Sequence, residues 1–306
     1  MEHKRILPFL IIILFIACII ISVILASAYR RVNFISDDTI DAAVSILEKS
    51  NITIDRSMIP QRVMTGTVYE FEYDEYSSTV APLLGGSKIK QSYIVPGNEI
   101  IVLENGSTLT FGNDFSITYK LDPEEDYFSL NYNEHIPPTE IDKLTEAEAT
   151  AKEFLQNGSS GFESDSSIII DTRVVVYRSG DIYSASCTRT IDGMTVNGNN
   201  IICIIKDGKV VEATGNWNFL TSGIPHTITL VDISGVLFKA KNDLKNARPY
   251  GNITIASIGR CYSLTIGGNG NVFLVPCWTI ETNYSDIFIY SGIDGDLVAY
   301  HSSSLN

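Results

Sequence analysis

The sequence has little positive charge. Lysine and arginine number 22 against 36 aspartate and glutamate residues, and the formal net charge at pH 7 is −14. Surfaces that bind nucleic acid neutralise phosphates with clustered lysine and arginine side chains, so this composition argues against such a partner. We therefore expect the protein to bind no nucleic acid.

The sequence also lacks the motifs that many hydrolases and metalloproteins carry. It contains no HExxH motif, no GxSxG nucleophile motif and no CxxC pair. The acidic run between Asp122 and Asp126 lacks the alternating ligands and central glycine of an EF-hand loop, and is typical of a solvated turn. We predict a non-enzymatic protein with no catalytic, cofactor-binding or metal-ligating residues and no cofactor. A spatial pair of carboxylates for glycan hydrolysis stays open as an alternative, because one sequence does not show such pairs. The only histidines are His3, His135, His226 and His301.

Charged residues are absent between Ile6 and Ala28. A helix of about 23 apolar residues, rising about 1.5 Å per residue, is long enough to span the hydrocarbon core of a bilayer. The run predicts a transmembrane anchor over residues 1–31 of a single-pass cell-membrane protein whose C-terminal part is extracytoplasmic. A cleaved signal peptide ending at Ala26-Ser27-Ala28 is the main alternative, and a lipoprotein with its lipid on Cys18 fits less well.

Four of the five cysteines lie outside this run and form two similarly spaced pairs. Cys187 and Cys203 are separated by the same interval as Cys261 and Cys277, and each pair flanks a turn-rich centre. Two cysteines that face each other across a hairpin approach closely enough for a disulfide. We therefore predict possible disulfides within these pairs, with buried unlinked thiols as the alternative.

Beyond the predicted anchor, the pattern indicates a small α+β domain over residues 32–135. Ser36 is a suitable N-cap for an amphipathic helix from about Asp37 to Lys49, and strand-like segments follow it. The segment around Pro137 and Pro138 is typical of a linker.

Residues 140–306 show the order helix, then antiparallel strands, twice. The first helix is marked by a predicted capping box, Thr145 with Glu148, and the second runs from about Ile233 to Lys245. We predict an α+β fold in which small helix-plus-antiparallel-sheet domains follow the anchor and the C-terminal half is a tandem duplication.

Asp-Gly and Asn-Gly pairs interrupt the stretch DGMTVNGNNIICIIKDGKVVEA, residues 192–213. A phosphate-binding loop needs glycines between a strand and a helix N-terminus. Here every Asp-Gly or Asn-Gly pair lies between apolar, strand-like stretches, where such pairs supply the positive φ of tight hairpins. The glycines therefore predict turns in a sheet and no phosphate site.

Several segments resemble the YycI and YycH membrane-anchored regulators of a sensor histidine kinase. The similar segments are NITIDRSMIP, TEAEATAKEFL, GMTVNGNNIICIIKDGKVVEATG, VFLVPCWTIET and IFIYSGIDGDLVAY. The C-terminal hairpins also look like PepSY modules.

This resemblance implies a non-enzymatic protein of a two-component signal-transduction system that regulates the cell wall. Its extracytoplasmic domain and the helix over residues 6–28 would contact the sensor histidine kinase and a second anchored YycH-like protein. The PepSY likeness gives the alternative of an inhibitor or chaperone of an exported protease. Neither family carries a catalytic residue to transfer.

Overall fold

A computed structural model describes most of the chain. The described residues are 18–25, 28–29, 33–71, 76–132, 141–159, 170–217, 224–266 and 271–302. They are rich in β-structure and form fifteen strands. From position 33 onwards they also form four helices, each of eight or more residues.

The element bounds are as follows. The helices are α1 (Asp37–Glu48), α2 (Tyr76–Gly85), α3 (Ile141–Ser159) and α4 (Ile233–Ala247), with a 3-10 turn at Arg56–Met58. The first strands are β1 (Ile52–Ile54), β2 (Thr65–Phe71), β3 (Ile89–Val95), β4 (Asn98–Leu103), β5 (Thr108–Gly112) and β6 (Ser116–Lys120). The middle strands are β7 (Ile170–Ser179), β8 (Ile182–Ile191), β9 (Met194–Lys206), β10 (Lys209–Asn216) and β11 (Ile224–Thr229). The last are β12 (Ile253–Ile266), β13 (Val272–Thr282), β14 (Ile287–Ser291) and β15 (Leu297–His301).

The predicted membrane anchor requires a correction. Within residues 6–28 the structure describes 18–25 and 28, and the rest of this predicted span lies outside the described residues. In the part of the chain that the structure describes, every helix is too short or too polar to cross a membrane. This finding overturns the transmembrane helix and the single-pass, extracytoplasmic localisation predicted with it.

The chain divides into two compact units, and neither unit is continuous along the sequence. Unit 1 comprises residues 1–66, 227–259 and 277–306, and unit 2 comprises 67–226 and 260–276. The predicted division into 32–135 and 140–306 stays a prediction, because its linker falls within residues 133–140, outside the described residues.

Unit 1 is built on helices α1 and α4. Both are amphipathic, and their apolar faces share one core with residues of β12, β13 and β14. Strand β1 pairs in parallel with β12, with Ile52 opposite Ile253, whereas β13, β14 and β15 pair antiparallel. Residues central to this core are Ile40, Leu47, Val236, Leu237, Ala240, Leu244, Trp278, Ile280, Phe288 and Tyr290.

Unit 2 contains an antiparallel ladder in the order β7-β8-β9-β10-β6-β5-β4-β3. Helices α2 and α3 supply Val80, Ala81, Ala151 and Leu155 to the core on one face of this ladder. Strand β12 also pairs in parallel with β9, with Tyr262 opposite Val196. A smaller cluster of buried side chains lies there, comprising Tyr69, Ile191, Val196, Tyr262, Val272 and Leu274.

The predicted fold class is therefore wrong. The sheets are mixed, because β12 forms parallel pairs with both β1 and β9, and they are not small antiparallel sheets. The two groups of C-terminal strands also differ in their pairing. Strands β7 to β10 form a continuous antiparallel meander, whereas the second group includes β12, which forms parallel pairs. The PepSY-like duplication belongs to the same overturned prediction.

The Asp-Gly and Asn-Gly pairs form hairpin turns at two of their three positions. Asp192-Gly193 and Asp207-Gly208 have positive φ at both residues, as a two-residue hairpin requires. Gly198 also has positive φ, at 70°, but lies inside the continuous strand β9. The prediction of a turn at Asn197-Gly198 is therefore wrong, because this glycine accommodates an irregular position within the strand.

Candidate functional sites

A cavity of about 310 Å³ lies in unit 2 between helix α3 and the ends of two hairpins. Lys143, Glu146, Ala147 and Thr150 line it from one face of the helix, because residues three, four and seven apart share a face. The cavity is further lined by Asp181, Tyr183, Ile205, Asp207 and Gly208.

The floor of the cavity is a cross-strand pair. Tyr183 of β8 lies directly opposite Ile205 of β9, and both strands end at tight turns. Those turns carry Asp181 and Asp207, and Asp207 has a φ of 51°, which its short polar side chain tolerates. Local turn chemistry thus brings two carboxylates to the lining of one cavity.

Strand β7 is a second candidate site, because it forms an edge. It pairs with β8 over ten residues without a register shift, and no other strand in the described part of the chain pairs with it. Edge strands are usually shortened, bulged, interrupted by proline or charged, and of these protections β7 has only its charged side chains, Asp171, Arg173 and Arg178. Among the described residues, no strand pairs with the main-chain groups of its outer edge, which can therefore accept a further strand.

The outer face of β7 is partly apolar. Val175 and Tyr177 are 45 % and 47 % exposed, whereas Val174 and Val176 pack against the core on the other face. The cross-strand neighbours of Val175 and Tyr177 are Ser186 and Ser184. Because serine side chains are short, they leave the larger side chains on β7 open to a ligand.

The four predicted disulfide cysteines are all buried thiols in this structure. On the β8–β9 ladder Cys187 faces Ile201 and Cys203 faces Ala185, so the two cysteines are diagonal neighbours and do not face each other directly. A hydrogen bond with Cys187, together with burial, raises the pKa of the Cys203 thiol.

The second predicted cysteine pair is divided between the units. Cys261 belongs to unit 2 and Cys277 to unit 1. Disulfide formation in both pairs stays a prediction, since thiols in one structure do not define the oxidised form.

The acidic run after β6 caps its own turns. Asp122 accepts a hydrogen bond from the amide of Glu124 at 3.0 Å, and Asp126 accepts one from the amide of Phe128 at 3.2 Å. Across the described residues, no group of three or more His, Cys, Asp or Glu side chains is arranged to hold a metal ion.

Glu212 on β10 is a buried acid that was not predicted from the sequence. It is 3 % exposed, lies 3.2 Å from the ammonium group of Lys120 and accepts a hydrogen bond from the amide of Tyr127 at 3.0 Å. Burial and the nearby Glu212 charge raise the pKa of Tyr132 to about 12. Glu212 thus holds the segment after β6 against the sheet. Its position in the apolar run KVVEATG was the available signal.

Comparison with known proteins gives a distant structural likeness to a protein of uncharacterized function. No protein-family model matches the sequence, and no curated protein is similar to it. A crystal structure of an uncharacterized protein from Eubacterium rectale ATCC 33656 is similar over 81 % of this chain and 90 % of that chain. The identity is 13 % and the TM-score is 0.43, a likeness too distant to support an argument about this chain.

Proposed function

We propose that this protein is a non-enzymatic regulator that binds a partner protein along strand β7. The observation that carries the proposal is the ten-residue edge of this strand, which pairs with β8 in unbroken register. A partner segment in extended conformation adds to such an edge through main-chain hydrogen bonds, while alternate side chains give specificity.

The chemistry of β7 indicates what kind of segment it accepts. The strand carries Arg173 and Arg178 against the single acid Asp171, in a chain whose net charge is −14. Val175 and Tyr177 lie on the same face as Arg173 and offer apolar contacts beside its charge, whereas Arg178 lies on the other face of the strand. The fitting partner is an extended segment in which apolar and acidic side chains alternate.

The first partner to test is a sensor histidine kinase or a second YycH-like protein, because of the sequence resemblance described above. An exported protease is the alternative partner. In both cases the regulator acts without chemistry of its own, through a difference in affinity for two states of its partner. The proposal requires no membrane helix.

Site-specific photo-crosslinking in cells of the native species tests this proposal. A photoreactive phenylalanine analogue replaces Tyr177 in the full chain, and the matched control replaces Tyr93, which is 39 % exposed on the opposite edge strand β3. We expect a defined crosslinked protein from position 177 and none from position 93. We also expect Val175→Lys to abolish this crosslink, because it places a charge among the apolar contacts.

The identity of the crosslinked protein distinguishes the candidates. A kinase or a second regulator agrees with the first candidate, and a protease agrees with the alternative. Equal crosslinking from positions 177 and 93, or none from 177, would contradict binding along β7.

A further inference from the structure

We propose that the cavity beneath helix α3 binds an organic ammonium ion with an aliphatic chain, such as a diamine or polyamine. This inference is independent of partner binding along β7, because it depends on other residues. It starts from the cavity of about 310 Å³ whose lining combines buried or half-buried apolar side chains with exposed carboxylates.

The floor suits an aliphatic chain. Ala147, Tyr183 and Ile205 present methyl, aromatic and branched aliphatic surface to the same space. Burial of alkyl groups against such surface is favourable by about 0.8 kcal/mol per methylene. The Tyr183 ring adds a face that attracts a cation.

The charged part of the cavity lining suits a cation. Glu146, Asp181 and Asp207 belong to it, and Lys143 is the single cationic residue of the lining. Three carboxylates against one ammonium group leave two excess negative charges. The three acids come from separate segments of the chain, and folding places them around one cavity, where a bound cation offsets their negative charge.

The arrangement favours an organic cation over a metal ion. Among the residues that the structure describes, no cluster of acids, histidines and cysteines has metal-binding geometry, and this includes the acids of the cavity. A metal ion needs several oxygens at about 2.0–2.6 Å. An ammonium group donates several hydrogen bonds at longer range, and a diamine places such groups apart, as separated carboxylates require.

Isothermal titration of the full chain with cadaverine and spermidine tests the site, and neutral 1,5-pentanediol serves as the uncharged control. We expect saturable binding of the amines and none of the diol. The variant Asp181→Asn/Asp207→Asn changes two exposed turn residues and is expected to weaken amine binding at least about tenfold, or about 1.4 kcal/mol. Tyr183→Leu is expected to weaken it less.

The matched control separates a site from general attraction to an acidic protein. Glu124→Gln/Glu125→Gln removes the same charge from an exposed turn that does not line the cavity, and we expect less than about a twofold effect. Equal losses in the two double variants, or no saturable amine binding by the unchanged protein, would overturn the proposal.

Discussion

At the scale of single residues, the most consequential contact in unit 1 is the pair Arg248–Asp286. Asp286 is fully buried, and it accepts hydrogen bonds from the Arg248 guanidinium at 2.8 and 2.9 Å and from the Ser302 hydroxyl at 3.1 Å. The pair fixes the end of α4 to the turn before β14. These two-pronged, charge-assisted bonds are stronger than neutral ones.

We expect Asp286→Ala to lower the free energy of unfolding by about 2 kcal/mol, because it removes a buried carboxylate that accepts hydrogen bonds from the partly exposed Arg248 guanidinium. Urea denaturation measures the change. Asp296→Ala is the control, since Asp296 pairs with Lys239 at the surface and such a pair contributes about 0.5 kcal/mol or less. Similar losses of unfolding free energy in both variants would mean that the Asp286 pair stabilises the fold no more than a surface ion pair does.

The buried thiols on β8 and β9 give a second prediction at this scale. We expect iodoacetamide to modify exposed Cys18 rapidly in the native, reduced protein, and Cys187 and Cys203 only when denaturant opens the sheet. Burial and the raised pKa of Cys203 both suppress the reactive thiolate. Peptide mass spectrometry reads the three sites separately. Rapid modification of Cys187 without denaturant would contradict the buried β8–β9 ladder.

At the scale of elements, the sequence predicts the starts of those helices that local interactions determine. Helix α1 begins where Ser36 predicts, and the hydroxyl of Ser36 accepts a hydrogen bond from the amide of Thr39 at 3.2 Å. Helix α4 begins at Ile233 as predicted, after Asp232 as its N-cap. In both cases an N-cap and an apolar stripe lie within a few residues of each other.

The Ser36 cap is open to a direct test. We expect Ser36→Ala to lower the free energy of unfolding by about 1 kcal/mol, because it leaves an amide of the first turn without its acceptor. Ser45→Ala makes the same chemical change in the middle of α1, where alanine favours the helix. Thermal unfolding compares the two variants. An effect of Ser45→Ala as large as that of Ser36→Ala would rule out a specific capping role.

Elements that depend on distant residues were predicted incorrectly. Helix α3 already includes Ile141, so Thr145 lies inside it. The Thr145 hydroxyl donates a hydrogen bond to the Ile141 carbonyl at 3.2 Å, and the predicted capping box is wrong. Helix α2 was missed because Pro82 lies inside it, and proline usually ends a helix. The parallel pair of β1 with β12 joins residues about 200 positions apart, which no local pattern indicates.

At the scale of the whole molecule, neither unit is a continuous piece of chain. Strands β12 and β13 each contribute residues to both units. A division by position along the sequence cannot show this. The cavity was unpredictable for the same reason, because Glu146, Asp181 and Asp207 come from three segments that only folding brings together.

Because unit 2 is formed by two separate segments of the chain, we expect residues 67–226 alone to be less stable than the complete unit. Tyr69, Ile191 and Val196 are buried in a cluster with Tyr262, Val272 and Leu274, which the separate segment 260–276 supplies. Without that segment, a fragment of residues 67–226 loses three buried side chains, each worth about 2 kcal/mol at most in burial.

Trp217 provides the probe for this prediction, because it is buried in unit 2 and the chain's other tryptophan, Trp278, belongs to unit 1. In urea denaturation followed by Trp217 fluorescence, we expect the fragment 67–226 to unfold at a lower midpoint than the full chain carrying Trp278→Phe. Joining residues 260–276 to the fragment through a flexible linker should raise its midpoint again, since the missing side chains return to the cluster at high effective concentration. Equal midpoints for the two fragments would show that the segment adds nothing to the stability of unit 2.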